Sequence, residues 1–126
     1  MASSRQIGDK GETAAADFLE AEGYRVMDRN YHFEHHELDL VCFDPAANEG
    51  RGELVFVEVK TRSSLGFGAP EEAVDAEKQQ NLAEVARAYL YERHLEGAPA
   101  RFDVVTVLLQ NNKPPEIAHH PNAFLP

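Results

Sequence analysis

Apolar residues recur at helical spacing near the start of the chain: Ile7, Gly11, Ala14, Ala15, Phe18 and Leu19 line one side, and Gly23 ends the pattern, predicting a helix over residues 5–22. The period then changes. Tyr24 to Phe33 reads as a strand, with Tyr24, Val26 and Asp28 on one side and Arg25 and Met27 on the other. Two more strands, rich in Val, Leu and Phe, flank turn-forming residues at Asp44-Pro45 and Asn48-Glu49-Gly50. Glu71 to Leu95 carries the clearest helical stripe, Leu82, Val85, Ala86, Tyr89 and Leu90, with Glu71 and Glu72 near its start and Gly97 and Pro99 beyond its end. Arg101 to Leu109 is almost continuously apolar, which predicts a central strand, with Asp103 as a polar exception. Beyond it Pro114, Pro115, Pro121 and Pro126 argue against a regular element, so residues 110–126 read as a Pro-rich tail. The expected fold is a single α/β domain over residues 1–109, a sandwich with a mixed central sheet flanked by helices, in the order αβββαβ.

The hairpin at the centre of the chain carries charges in apolar strands. Alternation puts Glu37 and Asp39 on one face and Leu38, Leu40 and Cys42 on the other; Phe56, Glu58 and Lys60 share a face opposite Val55, Val57 and Val59. Folding symmetrically about residues 45–52 brings Asp39 opposite Glu58 and Glu37 opposite Lys60. Directly opposed Cβ atoms lie about 4.5–5.5 Å apart. Carboxylates that close repel unless a cation lies between them, and Mg²⁺ suits a site of one or two carboxylates plus waters. A lysine on the same face can then orient a water or neutralise phosphate. A structural network of ion pairs among Asp39, Glu58 and Lys60 is the plainer alternative. Glu12 borders the buried stripe of the first helix, either as part of the site or as an acid favoured by the helix dipole. His35 and His36 fit no zinc spacing and read as solvated loop residues. Lys78, Gln79 and Gln80 either reach a neighbouring site or lie on a solvated face. The loop from Thr61 to Pro70 carries no phosphate-cradling glycine signature.

Composition narrows this picture. The 126 residues suffice for one modest core, no apolar run could cross a membrane, and no secretory leader is read at the start. Cys42, the single cysteine, reads as a small core residue, and with no internal disulfide to form the expected compartment is the cytoplasm. The net charge of −10 opposes simple DNA binding, which draws affinity from neutralised phosphates. Arg51, Arg62, Lys78, Arg87, Arg93 and Arg101 could still gather into a local basic patch.

The element order and the Asp39…Glu58-x-Lys60 spacing resemble the PD-(D/E)xK nuclease superfamily, whose fold is restriction-endonuclease-like. A longer set is more specific: Gly11-Glu12, Gly23-Tyr24, Glu37-Leu38-Asp39-Leu40-Val41, Val55-Phe56-Val57-Glu58-Val59-Lys60-Thr61-Arg62, Ala73-Val74, Lys78 and Arg101-Phe102-Asp103-Val104-Val105. Together these look like the YraN-like family of small bacterial proteins, across the chain to about Leu109. Archaeal Holliday-junction resolvases are similar in length and in their early helical glutamate.

The resemblance implies that Asp39 and Glu58 bind Mg²⁺ (or Mn²⁺) with the Val59 carbonyl, that Lys60 positions the attacking water, and that Glu12 completes the cluster. Glu37 is a motif acid without a fixed role, and Arg62 and Lys78 are candidates for phosphate contact. The implied function is a divalent-metal-dependent endonuclease acting on DNA, branched or structured, for which a homodimer would suit cutting two strands. The alternative is a non-catalytic nucleic-acid-binding or protein-interaction module on the same fold. The chain departs from the family pattern at His36, where glycine is usual, and at Lys78-Gln79-Gln80-Asn81, where a basic run is usual. Those losses leave room for a protein partner that supplies basic surface.

Overall fold

The computed structural model describes residues 4–63 and 74–124. Helix α1 spans Ser4–Ala21 and is followed by strands β1 (Arg25–Phe33), β2 (His36–Asp44) and β3 (Glu53–Arg62). Helix α2 (Ala76–Glu92) leads to strands β4 (Ala100–Gln110) and β5 (Lys113–Phe124). The strands form one sheet in sequence order, antiparallel except where β3 and β4 run parallel. The chain is a single α/β domain with a five-stranded mixed sheet and two helices. Among the described residues no helix is long and apolar enough to cross a membrane.

Alternation along the two middle strands assigns the helices to opposite faces. Val55 and Val57 of β3 and Val105 and Val107 of β4 pack with Ala15, Ala16 and Leu19 of α1. Phe56 and Val104 point the other way, against Leu82, Val85, Ala86 and Tyr89 of α2. Burial on both faces is why β3 and β4 read as unbroken apolar runs. Cys42 lies in the α1-side core, and burial pushes its thiol up to about 12.

Residues 113–124 are a strand rather than a tail. β5 pairs antiparallel with β4, its register shifting between Leu108 and Gln110 and again between Phe102 and Val104. Pro114 and Pro115 fall at the first shift and Pro121 at the second, where no ladder bond needs their missing N–H. As the last strand in the sheet β5 also has a free edge, which tolerates proline.

Two other side assignments differ from simple alternation. The β1–β2 register shifts between Val26 and Asp28, so Val26 joins the α1-side core while Asp28 turns to α2 and accepts from the Tyr89 hydroxyl at 2.8 Å. In β2, Leu40 packs on the α1 side but Leu38 on the α2 side, so the alternation breaks at Asp39. Helix α2 begins at Ala76, capped by Asp75, whose carboxylate accepts from Lys78 N at 2.9 Å. Glu71 and Glu72, expected at its start, lie outside the described residues.

Arg101 belongs to no exposed basic patch. Its side chain is 10% exposed and is held by Asp44 at 3.3 Å, Glu53 at 3.1 Å and Asp103 at 3.0 Å, with the Tyr24 hydroxyl at 2.6 Å. Asp103 also meets His119 of β5 at 2.7 Å and accepts from Asn122 N at 3.0 Å. This network ties the starts of β3 and β4 to the end of β2 and to β5.

Gly11 lets α1 approach β3 closely: a Cβ there would overlap the Thr61 side chain. That contact holds the next residue, Glu12, beside the end of β3. Gly11→Ala is expected to lower unfolding stability by about 1–3 kcal/mol through overpacking, although alanine is the better helix former. Urea denaturation measures the change, and an unchanged or raised midpoint would show that this contact does not fix the helix.

Candidate metal centre

The β2–β3 ladder runs from Asp44↔Glu53 to Leu40↔Val57 and stops there. The next positions in that register are Asp39 and Glu58. Instead of a ladder bond, the Asp39 carboxyl takes the backbone N–H of Val59 at 2.8 Å on Oδ2. Asp39 is therefore anchored across the hairpin through its side chain, at the point where the alternation of β2 breaks.

Carboxylates from three elements gather around it. One oxygen each from Glu12 of α1 and Glu37 and Asp39 of β2 lie within 4.8 Å of one another. Glu58 of β3 hydrogen-bonds to Asp39 and is only 8% exposed. Its Oε2 and the Oε1 of Glu12 are both buried and accept no hydrogen bond. Buried carboxylate oxygens without donors are costly unless something fills them. The donor set is all oxygen, which suits a hard divalent cation rather than a soft one.

The electrostatics agree with that arrangement. Burial, followed by the charge of Glu58 and the bond to it, pushes the Asp39 carboxyl up to about 9, against which the Val59 N–H pulls. Burial also raises Glu12, with Glu37 adding to the rise, while its bond to the Asn30 side chain and the charge of Arg29 oppose it. Arg29 Nη2 stands 3.9 Å from Glu12 and also reaches Thr13 Oγ1 at 3.2 Å. Lys78 Nζ lies 3.5 Å from the orphaned Oε2 of Glu58, placed there by the Asp75 cap in the first turn of α2.

Two clefts flank the acids. One, of about 480 Å³, is lined by Gly8, Glu12, Val59, Lys60 and Arg62. The other, of about 270 Å³, is lined by His35, His36, Glu37, Asp39, Lys78 and Asn81. Lys60 has no ion-pair partner among the described residues, and Arg62 is exposed. Lys60 thus does not pair with Glu37, whose neighbour is His32 at 3.5 Å. Sequence reading set Glu37 aside without a role, yet it stands with Glu12 and Asp39, while Glu58 lies outside the 4.8 Å group and faces Lys78. Arg29 and Asn30, which hold Glu12, were missed; the register shift after Val26 turns Arg29 to α1, and Asn30 is left-handed (φ 53°), neither of which a sequence pattern announced.

The profile of the uncharacterised protein family UPF0102 matches residues 11–107. A UPF0102 protein of Trichlorobacter lovleyi is 43% identical over 121 residues, covering 96% of this chain and 91% of that one. One from Symbiobacterium thermophilum is 51% identical over 104 residues, covering 82% and 83%, and one from Syntrophomonas wolfei is 43% identical over 121 residues, covering 96% and 99%.

The raised Asp39 carboxyl has a consequence for stability. A carboxyl near 3.8 when unfolded and about 9 when folded holds its proton only in the folded state across that window. Its contribution to stability therefore falls as pH rises from about 4 to about 9. Asp39→Asn keeps an acceptor for Val59 N and removes the titration. Without added metal it is expected to raise stability at pH 7 by about 1–3 kcal/mol and to flatten the pH profile. Thermal unfolding from pH 5 to 9 checks this; a variant less stable than wild type at pH 7 would mean that Asp39 is held charged by a partner.

Proposed function

We propose that this chain, which belongs to the uncharacterised protein family UPF0102, is a divalent-metal-dependent endonuclease of the PD-(D/E)xK kind that hydrolyses phosphodiester bonds in branched or structured DNA. The observation that carries the reading is the convergence of Glu12, Glu37, Asp39 and Glu58, whose two buried oxygens accept no hydrogen bond and meet only Arg29 at 3.9 Å and Lys78 at 3.5 Å, beside a cleft containing Lys60. Acid clusters at strand ends are common; acids kept buried without donors are not.

In this reading Glu12, Glu37 and Asp39 hold Mg²⁺ or Mn²⁺, Glu58 joins through its contact with Asp39, and the Val59 carbonyl is a further ligand, Val59 lining the same cleft as Glu12. A bound ion supplies Lewis-acid polarisation of the phosphate and a lowered pKa for a bound water. Lys60, which lines the same cleft as Glu12 and has no ion-pair partner among the described residues, orients the attacking water and offsets charge developing on phosphate. Arg62 at the cleft mouth and Lys78 in the second cleft contact phosphates on either side. The restriction-endonuclease-like arrangement is supported by the mixed sheet between two helices with the acids on the β2–β3 hairpin. A net charge of −10 favours a second reading, a protein-interaction module on the same fold that recruits a basic partner.

Cleavage of a four-way DNA junction separates the two. Wild type with Mn²⁺ is expected to cut it, and Asp39→Ala and Lys60→Ala each to lose about 100-fold or more in rate. Full cleavage by Asp39→Ala with its circular dichroism unchanged would remove the site from the chemistry; no cleavage of any junction by wild type would favour the interaction module.

A further inference from the structure

Away from the acids, one face of the molecule combines exposed apolar groups with an ordered distribution of charge. Met27, Phe33 and Tyr91 are the exposed large hydrophobics of the described residues, at 43%, 38% and 71%. All three line two clefts along β1, one against the end of α2 and one against the end of β2, the start of β3 and the segment after α2. Phe33 and Tyr91 line one of about 910 Å³, and Met27 lines one of about 370 Å³. The segment after α2 walls both, Glu96 and Gly97 on the first and Leu95, Ala98 and Pro99 on the second. An apolar face of this kind on an edge strand is unusual for a monomer.

Charge divides along the same face. The larger cleft, at the end of β1, carries Glu34, Glu84, Glu92 and Glu96 against Arg87 alone. The smaller cleft, at the start of β1, carries Arg25, stacked over Phe43, and the exposed Arg51, which meets the exposed Glu49 at 3.6 Å; its one lining acid, Glu53, is held by Arg101. A face acidic at one end, basic at the other and apolar between is complementary to itself under a twofold rotation.

We propose that the β1–α2 face is the interface of a symmetric homodimer, in which the acidic end of each copy lies on the basic end of the other. The twofold axis crosses the apolar middle, so Tyr91 and Met27 are covered by the second copy. Contact is through side chains rather than a continued ladder, because the register shift at Met27 and the left-handed Asn30 break the free edge of β1. This assembly is independent of whether the acid cluster acts on DNA.

Sedimentation at micromolar to millimolar protein tests it. Wild type is expected at twice the 14.0 kDa chain mass, and Tyr91→Glu, at an exposed position, as a folded monomer or at least about tenfold weaker dimer. The charge pattern allows a sharper test. Arg25→Glu with Arg51→Glu makes both ends acidic, and Glu34→Lys with Glu84→Lys makes the face basic at both. Each double variant is expected to be monomeric alone, with a native circular dichroism spectrum, and the two to form a heterodimer when mixed. Monomeric wild type overturns the proposal, as does a Tyr91→Glu dimer of undiminished strength. Two monomeric charge variants that do not combine would overturn the twofold charge pairing.

Discussion

Asp39 and Glu58 meet where the β2–β3 ladder stops, and two carboxyls in contact away from water cannot both ionise freely. Much of the local structure serves to hold them there. The Val59 N–H fixes Asp39 across the hairpin, the Gly11–Thr61 approach brings Glu12 to its side, and the Asp75 cap delivers Lys78 to Glu58. Glu12 adds to the repulsion, and the Val59 N–H and Lys78 offset only part of it. Lys78 stands 3.5 Å from Glu58 and Arg29 3.9 Å from Glu12, yet the buried oxygens they face accept no hydrogen bond.

The other end of the sheet shows how the same chain treats a buried acid it means only to bury. Asp103 is fully buried, yet its carboxyl is held below the usual range: burial works against ionisation, and the bonds from His119, Arg101 and Asn122 N together outweigh it. Its oxygens have four donors within 3.3 Å, from Arg101, His119 and the backbone. Asp39 has one backbone donor and an acid for a neighbour, and its carboxyl rises instead. One fold thus contains a satisfied acid centre and an unsatisfied one, and the contrast is the strongest physical reason to look for a ligand at the second.

What the sequence made legible follows from local rules. The two-period reading located both helices and the first four strands, and symmetry about the turn put Asp39 next to Glu58 in register, because hairpin pairing is fixed by the turn and by apolar alternation. The failures were non-local. Prolines concealed β5, since only the partner strand reveals where the register shifts can absorb them. The irregularity after Val26 moved Asp28 to α2 and Arg29 toward Glu12, and the break at Asp39 separated Leu38 from Leu40. Arg101 and Asp103 looked like a surface cation and a stray acid because their partners Tyr24, Asp44 and His119 are far away along the chain.

If the cluster at Asp39 exists to hold a cation, a divalent ion must displace the proton that burial keeps there. Calorimetric titration of Mn²⁺ at pH 7, repeated in two buffers of different ionisation enthalpy, reads both binding and proton release. The account predicts saturable binding with net proton release, absent in a variant combining Asp39→Asn with Glu12→Gln. No binding, or binding that neither releases protons nor depends on these acids, would contradict it.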